Sequence, residues 1–291
     1  MTEHVLIPNW KEFGGSLDPA AARPASPTGP VDFTQPLKVY WVPGCSACLR
    51  MKEFFTKHGV AYESVNALED KEAFDDLAKL GVKRVPIAAR GAQWADGQVL
   101  SALARLGGIR LERAPALPPG DLVLRGQPIL AAALRLLARI PEEDLSKLLP
   151  GRPRSYKQLG AHIFQIVECF LDLVEKGERL EFTHFLRDVP PSVVTRADLL
   201  RFAEGIQSRF TEWWEHDGKT TDFSVTADVY YGEQTLHQYL ERSVGHFAHH
   251  TRQLQVVVHK LGLPTGDGLR HEDLAGLPLP EDVYDDKVKL D

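Results

Sequence analysis

Between residues 37 and 42 the chain reads LKVYWV, a short β-prone run that ends at Pro43-Gly44, and from 46 to 58 the apolar positions Leu49, Phe54 and Phe55 fall at helical spacing. This predicts a strand, a turn and a helix. Residues 61–65 read as a second strand, 69–80 as a second helix, 86–89 as a third strand, and 98–106 as a closing helix after the Asp96-Gly97 turn. Strands alternating with helices over residues 36–113 predict a small α/β domain.

The pattern changes after Arg113. Residues 114–120 (APALPPG) cannot continue a helix and read as a linker. Apolar residues then recur at three- and four-residue intervals over 121–140, 156–176, 196–216 and 233–261, without convincing strand alternation. Residues 121–261 are thus expected to form an all-α unit, a four-helix bundle, with loops at 182–194 and 217–232. The tail, 262–291, is expected along the outside, and residues 1–35, rich in Pro, Ala and Gly, read as an irregular arm.

Composition narrows the function classes. Lys and Arg number 34 against 40 Asp and Glu, a net charge of −6, which argues against capture of nucleic acid through phosphate neutralisation. No apolar run approaches the roughly 18 residues of a membrane span, and the opening MTEHVLIPNWKEF lacks the basic and apolar segments of a signal peptide. The expectation is a soluble, cytoplasmic protein without a membrane partner, whose exposed bundle faces leave room for a homodimer. The three cysteines, Cys45, Cys48 and Cys169, are too few for a disulfide scaffold.

Cys45 and Cys48 form a C-x-x-C between the first strand and the first helix. There the free N–H groups and dipole of the helix N-terminus favour thiolate over thiol at Cys45. Cys48, three residues on, is placed to attack a mixed disulfide on Cys45. Half of a zinc site or two inert thiols are the other readings, although no second C-x-x-C exists to complete a zinc site. The stretch VYWVPGCSACLRMKEFF, followed by GVKRVPIAARGAQWADGQ, resembles the glutaredoxin branch of the thioredoxin fold over residues 37–108. The resemblance implies that Pro86 is cis, that Val85 offers its backbone to a thiol peptide, and that Asp96-Gly97 lies where glutaredoxins hold a carboxylate of glutathione. Ser46-Ala47 replaces the usual Pro-Tyr between the cysteines, and Arg84 stands where threonine is common, so the physiological thiol is either glutathione or another low-molecular-weight thiol.

The last predicted helix carries a second candidate site. At 100° per residue His246, His250 and Gln253 share one stripe, His249 lies about 60° off it, and His237 and His259 fall on the opposite face. Histidines at i and i+4 can reach one metal ion, and the alternative is ordinary polar surface. His162 sits on the apolar stripe of residues 156–176 among Leu159, Ile166 and Phe170, where a metal or a carbonyl would satisfy it. LGAHIFQIVE and SVGHFAHHTRQLQ together resemble the DinB-like family of four-helix metalloproteins over residues 120–261. That resemblance implies a divalent metal on His162, His246 and His250, with His249 a geometrically poorer alternative. The sequence does not choose among zinc, nickel, iron and manganese, because imidazole suits several of them, and zinc is favoured by abundance alone.

Cys169 lies about 20° from the His162 direction and reads either as a small buried hydrophobe or as a neighbour of the histidines. Trp213 and Trp214 read as packing at a helix end or as lining of the metal pocket, and Glu281, Asp282, Asp285 and Asp286 as a solvated acidic tail. DinB-like proteins often act as transferases or isomerases that use low-molecular-weight thiols. The expected function is therefore an enzyme coupling dithiol exchange to metal-assisted thiol transfer or reductive detoxification, its partners a small thiol and a small electrophile. The alternative is a redox-responsive sensor whose helical part is a binding or dimerisation module.

Overall fold

The computed structural model describes residues 27–82, 84–112 and 116–285. The first 26 residues of the expected arm, the start of the expected linker and the last six residues of the tail, Asp286 included, lie outside the described residues. Four strands and three helices make up the first half: β1 (Lys38–Trp41), α1 (Ser46–Lys57), β2 (Glu63–Asn66), α2 (Ala73–Lys79), β3 (Ile87–Arg90), β4 (Gln93–Asp96) and α3 (Leu100–Gly107). The sheet order is β2-β1-β3-β4, with β1 parallel to β2 and antiparallel to β3, the thioredoxin-like arrangement. Val39, Met51, Phe55, Ala88, Ala95, Leu103 and Leu106 fill one face of the sheet, and Tyr40, Leu77, Ile87 and Trp94 belong to the cluster on the other.

Two local features of this half depart from expectation. The second helix begins at Ala73 rather than at 69, because the Asp70 carboxylate accepts from the Glu72 amide at 2.9 Å and holds the preceding residues in a turn. The sheet gains β4, which the spacing did not predict. Its four residues, QWAD, are too few to alternate visibly, and they pair with β3 through a tight turn at Gly91, whose φ of 54° suits glycine.

The second half is mostly helical: α4 (Pro119–Arg139), α5 (Tyr156–Lys176), α6 (Arg196–His216), α7 (Leu236–Lys260) and the short α8 (His271–Leu274). Helix α4 packs on α6 and α7, and α5 packs on the same two, around a core that includes Phe164, Phe170, Phe210, Tyr239 and Phe247. Each such ring, once buried, contributes about 1.5–3 kcal/mol. Helices α5 and α6 run over the predicted residues because both begin with a reciprocal cap: Ser155 with Gln158, and Thr195 with Asp198. Thr235 and Gln238 cap α7 likewise and set its start at Leu236 instead of 233. Helix α4 starts inside the expected linker, with Pro119 at the position where its missing N–H costs nothing.

The expected loop at 217–232 is corrected in part. Thr226–Val229 (β5) and Gly232–Thr235 (β6) form an antiparallel hairpin, hidden from sequence patterning because its residues are mostly polar and half-exposed. The expected solvated acidic tail is corrected at Asp285, while Glu281 and Asp282 are exposed. Asp285 is buried against the Lys52 ammonium of α1, and the Glu53 carboxylate accepts from the amides of Glu281 and Asp282. Arg252 of α7 donates to the carbonyls of Pro280 and Glu281, so this segment straps α1 to α7.

Candidate functional site

The dithiol sits where β1 turns into α1. Gly44 makes the turn with a φ of 68°, and Cys45 is the N-cap of the helix, its sulfur accepting from the Cys48 amide at 3.2 Å. That donor and the helix dipole both favour negative charge on Cys45. Cys48 is buried behind it, and the two sulfurs are joined as a disulfide. The Val85–Pro86 peptide bond facing this corner is cis.

Asp96 and Gly97 make their contacts within the protein. The Asp96 carboxylate is 2% exposed and accepts from Arg84 Nε at 2.8 Å and from the Gln98 amide at 2.9 Å. The Gly97 amide donates to the Pro86 carbonyl at 3.0 Å, and a Cβ at Gly97 would lie 2.6 Å from Pro86 Cγ. Both residues brace the proline loop from behind.

On the helical side, His162 of α5 and His246 and His250 of α7 present ring nitrogens that all lie within 4.8 Å of one another. Burial holds all three imidazoles well below the usual histidine range; Arg154 adds to this for His162 and His250, and Arg242 for His246. They are therefore neutral, the form that ligates a metal. His250 Nδ1 lies 2.7 Å from Gln253 Oε1, an acceptor, so Nδ1 carries the proton and Nε2 keeps its lone pair. His246 Nδ1 is buried with no hydrogen-bond partner. Three neutral rings with unclaimed lone pairs fit a divalent ion better than they fit one another. His249 turns away: its Nε2 lies 3.2 Å from Gln253 Nε2, and burial pushes its pKa down to about 3.

The two sites meet. One cavity of about 60 Å³ is bordered by Cys45, Val85 and Pro86 from the first half and by His162, His246 and His250 from the second. Gln253 links the same pair of sites through the protein: its amide nitrogen donates to the carbonyl of Gly44, the residue before Cys45, while its oxygen holds His250. Cys48, Asp96 and Gly97 do not border the cavity.

Several lining residues escaped the sequence reading. Arg242 precedes His246 by four residues, so the same helical stripe signalled it, whereas Arg152 and Arg154 lie in the irregular segment before α5 and carried no pattern. Tyr230 is delivered by the turn of the unpredicted hairpin, and Phe185 by the 3₁₀ turn Phe182–Leu186. Cys169 is a buried free thiol away from the cavity, its pKa pushed up to about 12 by burial, and Trp213 packs on Phe170 and Phe210. Both are core residues.

Compared with known proteins, residues 37–88 match the glutaredoxin family model, a stretch that contains Cys45 and Cys48 and runs from the start of β1 into β3. No curated protein matches the chain. The matched domain and its cysteine pair support thiol–disulfide redox activity. No helix among the described residues is long and apolar enough to cross a membrane.

Proposed function

We propose that the protein is a two-site thiol enzyme in which the Cys45–Cys48 dithiol works on substrate held against a divalent metal on His162, His246 and His250. The observation that carries this reading is the shared cavity: Cys45 and the three histidines line the same space, although they come from opposite halves of the chain. The helical half, in this reading, is a four-helix metal-binding bundle of the DinB-like kind. The metal is zinc by abundance, with nickel, iron and manganese accepted by the same ligands. When bound, such an ion supplies Lewis acidity that stabilises a thiolate or polarises an electrophile.

The chain's own residues do the exchange. The Cys45 thiolate attacks a sulfur of a substrate disulfide, forming a mixed disulfide and expelling one substrate thiolate, which takes a proton from solvent. Cys48, deprotonated, then attacks Cys45 Sγ and expels the second substrate thiolate. The substrate gains two electrons and the protein is left with the Cys45–Cys48 disulfide seen here. Glutathione or another low-molecular-weight thiol returns the electrons, and the Val85 backbone beside cis-Pro86 orients the incoming thiol. A small thiol and a small electrophile are thus the partners.

Elemental analysis of protein purified without chelator or affinity-tag metal tests the reading, with the H246A/H250A double variant alongside. The expected result is one metal per chain, absent from the variant. Metal-free wild-type protein that stays metal-free on titration with zinc would reduce the histidine site to core packing and leave a dithiol redox protein.

A further inference from the structure

The walls of the cavity carry a charge imbalance. Arg152, Arg154 and Arg242 border it, Arg50 borders the adjoining pocket together with Arg242, and among the described residues lining either space there is no Asp or Glu. Two carboxylates act from behind these walls without bordering either space: Asp96, which accepts from Arg84 and also faces Arg242 electrostatically, and Glu241, which faces Arg50 in the same way. Neutral histidines offer no compensation, and a divalent metal would add two more positive charges.

Among the described residues none of these four arginines is ion-paired to a carboxylate. Arg242 is clamped between rings, 4.9 Å from Phe185 and 5.2 Å from Tyr231, with Nε donating to Gln98 Oε1 and Nη2 to the Tyr230 hydroxyl. Its Nη1 is buried without a hydrogen-bond partner. An unsatisfied charged donor in such a place is costly, and it persists where a ligand completes it. The Arg154 side chain has no hydrogen-bond or ion-pair partner among the described residues, and Arg152 makes one long contact, 3.3 Å to the Pro43 carbonyl. Burial, with Arg152 beside it, pushes the Arg154 guanidinium well below its usual range. Arg152 and Arg154 are half-buried, so solvent screens these like charges only in part, and an anion between them would relieve their repulsion.

We infer that the cavity selects an anionic electrophile, a small molecule bearing a carboxylate or oxyanion group that Arg154 and Arg242 hold while its reactive atom faces Cys45. This rests on the proposed function above and adds the substrate's charge class to it. Guanidinium forks match planar oxyanions in geometry as well as charge, which a metal alone would not require.

Alkylation of Cys45 reads the charge selection directly. The fully reduced full-length protein is treated with iodoacetate or with iodoacetamide, reagents of similar shape that differ in charge, and modification at Cys45 is followed by mass spectrometry. In each case the thiolate sulfur displaces iodide. The ratio of the two rates, divided by the same ratio in the denatured chain, is expected to favour iodoacetate by about tenfold or more. R154Q should lose most of that preference and R154K should retain an intermediate one, charge without the fork, with the circular dichroism of both unchanged. A ratio equal to that of the denatured chain, or an R154Q protein with the wild-type ratio, would overturn the inference. Failure of both reagents at Cys45 would instead overturn the dithiol reading on which it rests.

Discussion

The two sites that meet in the cavity are built in opposite ways. The dithiol is local: a strand, a glycine turn and a helix N-terminus within about ten residues place Cys45, supply its donor from Cys48 and set its electrostatics. The histidine cluster is assembled from α5 and α7 and gets its character from surroundings, since burial, with nearby arginines adding to it, keeps its rings neutral. A nucleophile can be tuned by its own helix dipole, but a neutral ligand set needs a core around it. The comparison teaches that the first site should tolerate changes elsewhere in the fold, while the second should fail with its packing.

The sharpest break would come from the dithiol. C45S should abolish thiol–disulfide exchange with a small disulfide substrate while metal content stays as in the wild type. Loss of metal in C45S would show that the sites are not separable. Next comes pH. Burial depresses the pKa of His162, His246, His249 and His250 below the ordinary value near about 6.5. Below that pH the unfolded chain binds more protons than the native one, so the stability present above it is lost as pH falls toward the depressed values. Each ring steepens the decline by up to about 1.4 kcal/mol per pH unit. Chelator-treated protein, followed by urea unfolding from about pH 7.5 to about pH 5, should show this slope, and H249L should flatten it. A flat profile would mean that the rings are less enclosed than the packing indicates.

The smallest effect sharpens the link between the sites. Q253A removes both the acceptor that fixes His250 and the donor to the Gly44 carbonyl. Metal affinity, measured by competition with a chromogenic chelator, should weaken about 10–100-fold. The alkylation rate of reduced Cys45 in chelator-treated protein should change as well, a readout that loss of metal positioning alone would not move. An unchanged affinity would assign Gln253 to packing.

Local patterns carried most of the elements and half of the site. Helices α5 and α6 were legible to the residue because side-chain caps at Ser155 and Thr195 and apolar periodicity agree. Strands β4, β5 and β6 were not, being four residues each with mixed or polar faces. The C-x-x-C and the stripe of His246 and His250 stand in the chain as motifs, and Arg242 lies on that same stripe. Arg152 and Arg154 have no such pattern. Asp285 looked like solvated acid, because a carboxylate's partner, here Lys52, is named only by the fold.

What this sequence determines by itself is whatever depends on neighbours a few residues apart: the strand–turn–helix that activates Cys45, the helical stripes, the caps and the linker prolines. Tertiary structure decided the rest. It buried His162 opposite α7 and set Cys45 against the histidines and the arginines around one cavity. Those relations depend on distance in space and on the exclusion of water, and the spacing of residues along a chain encodes neither.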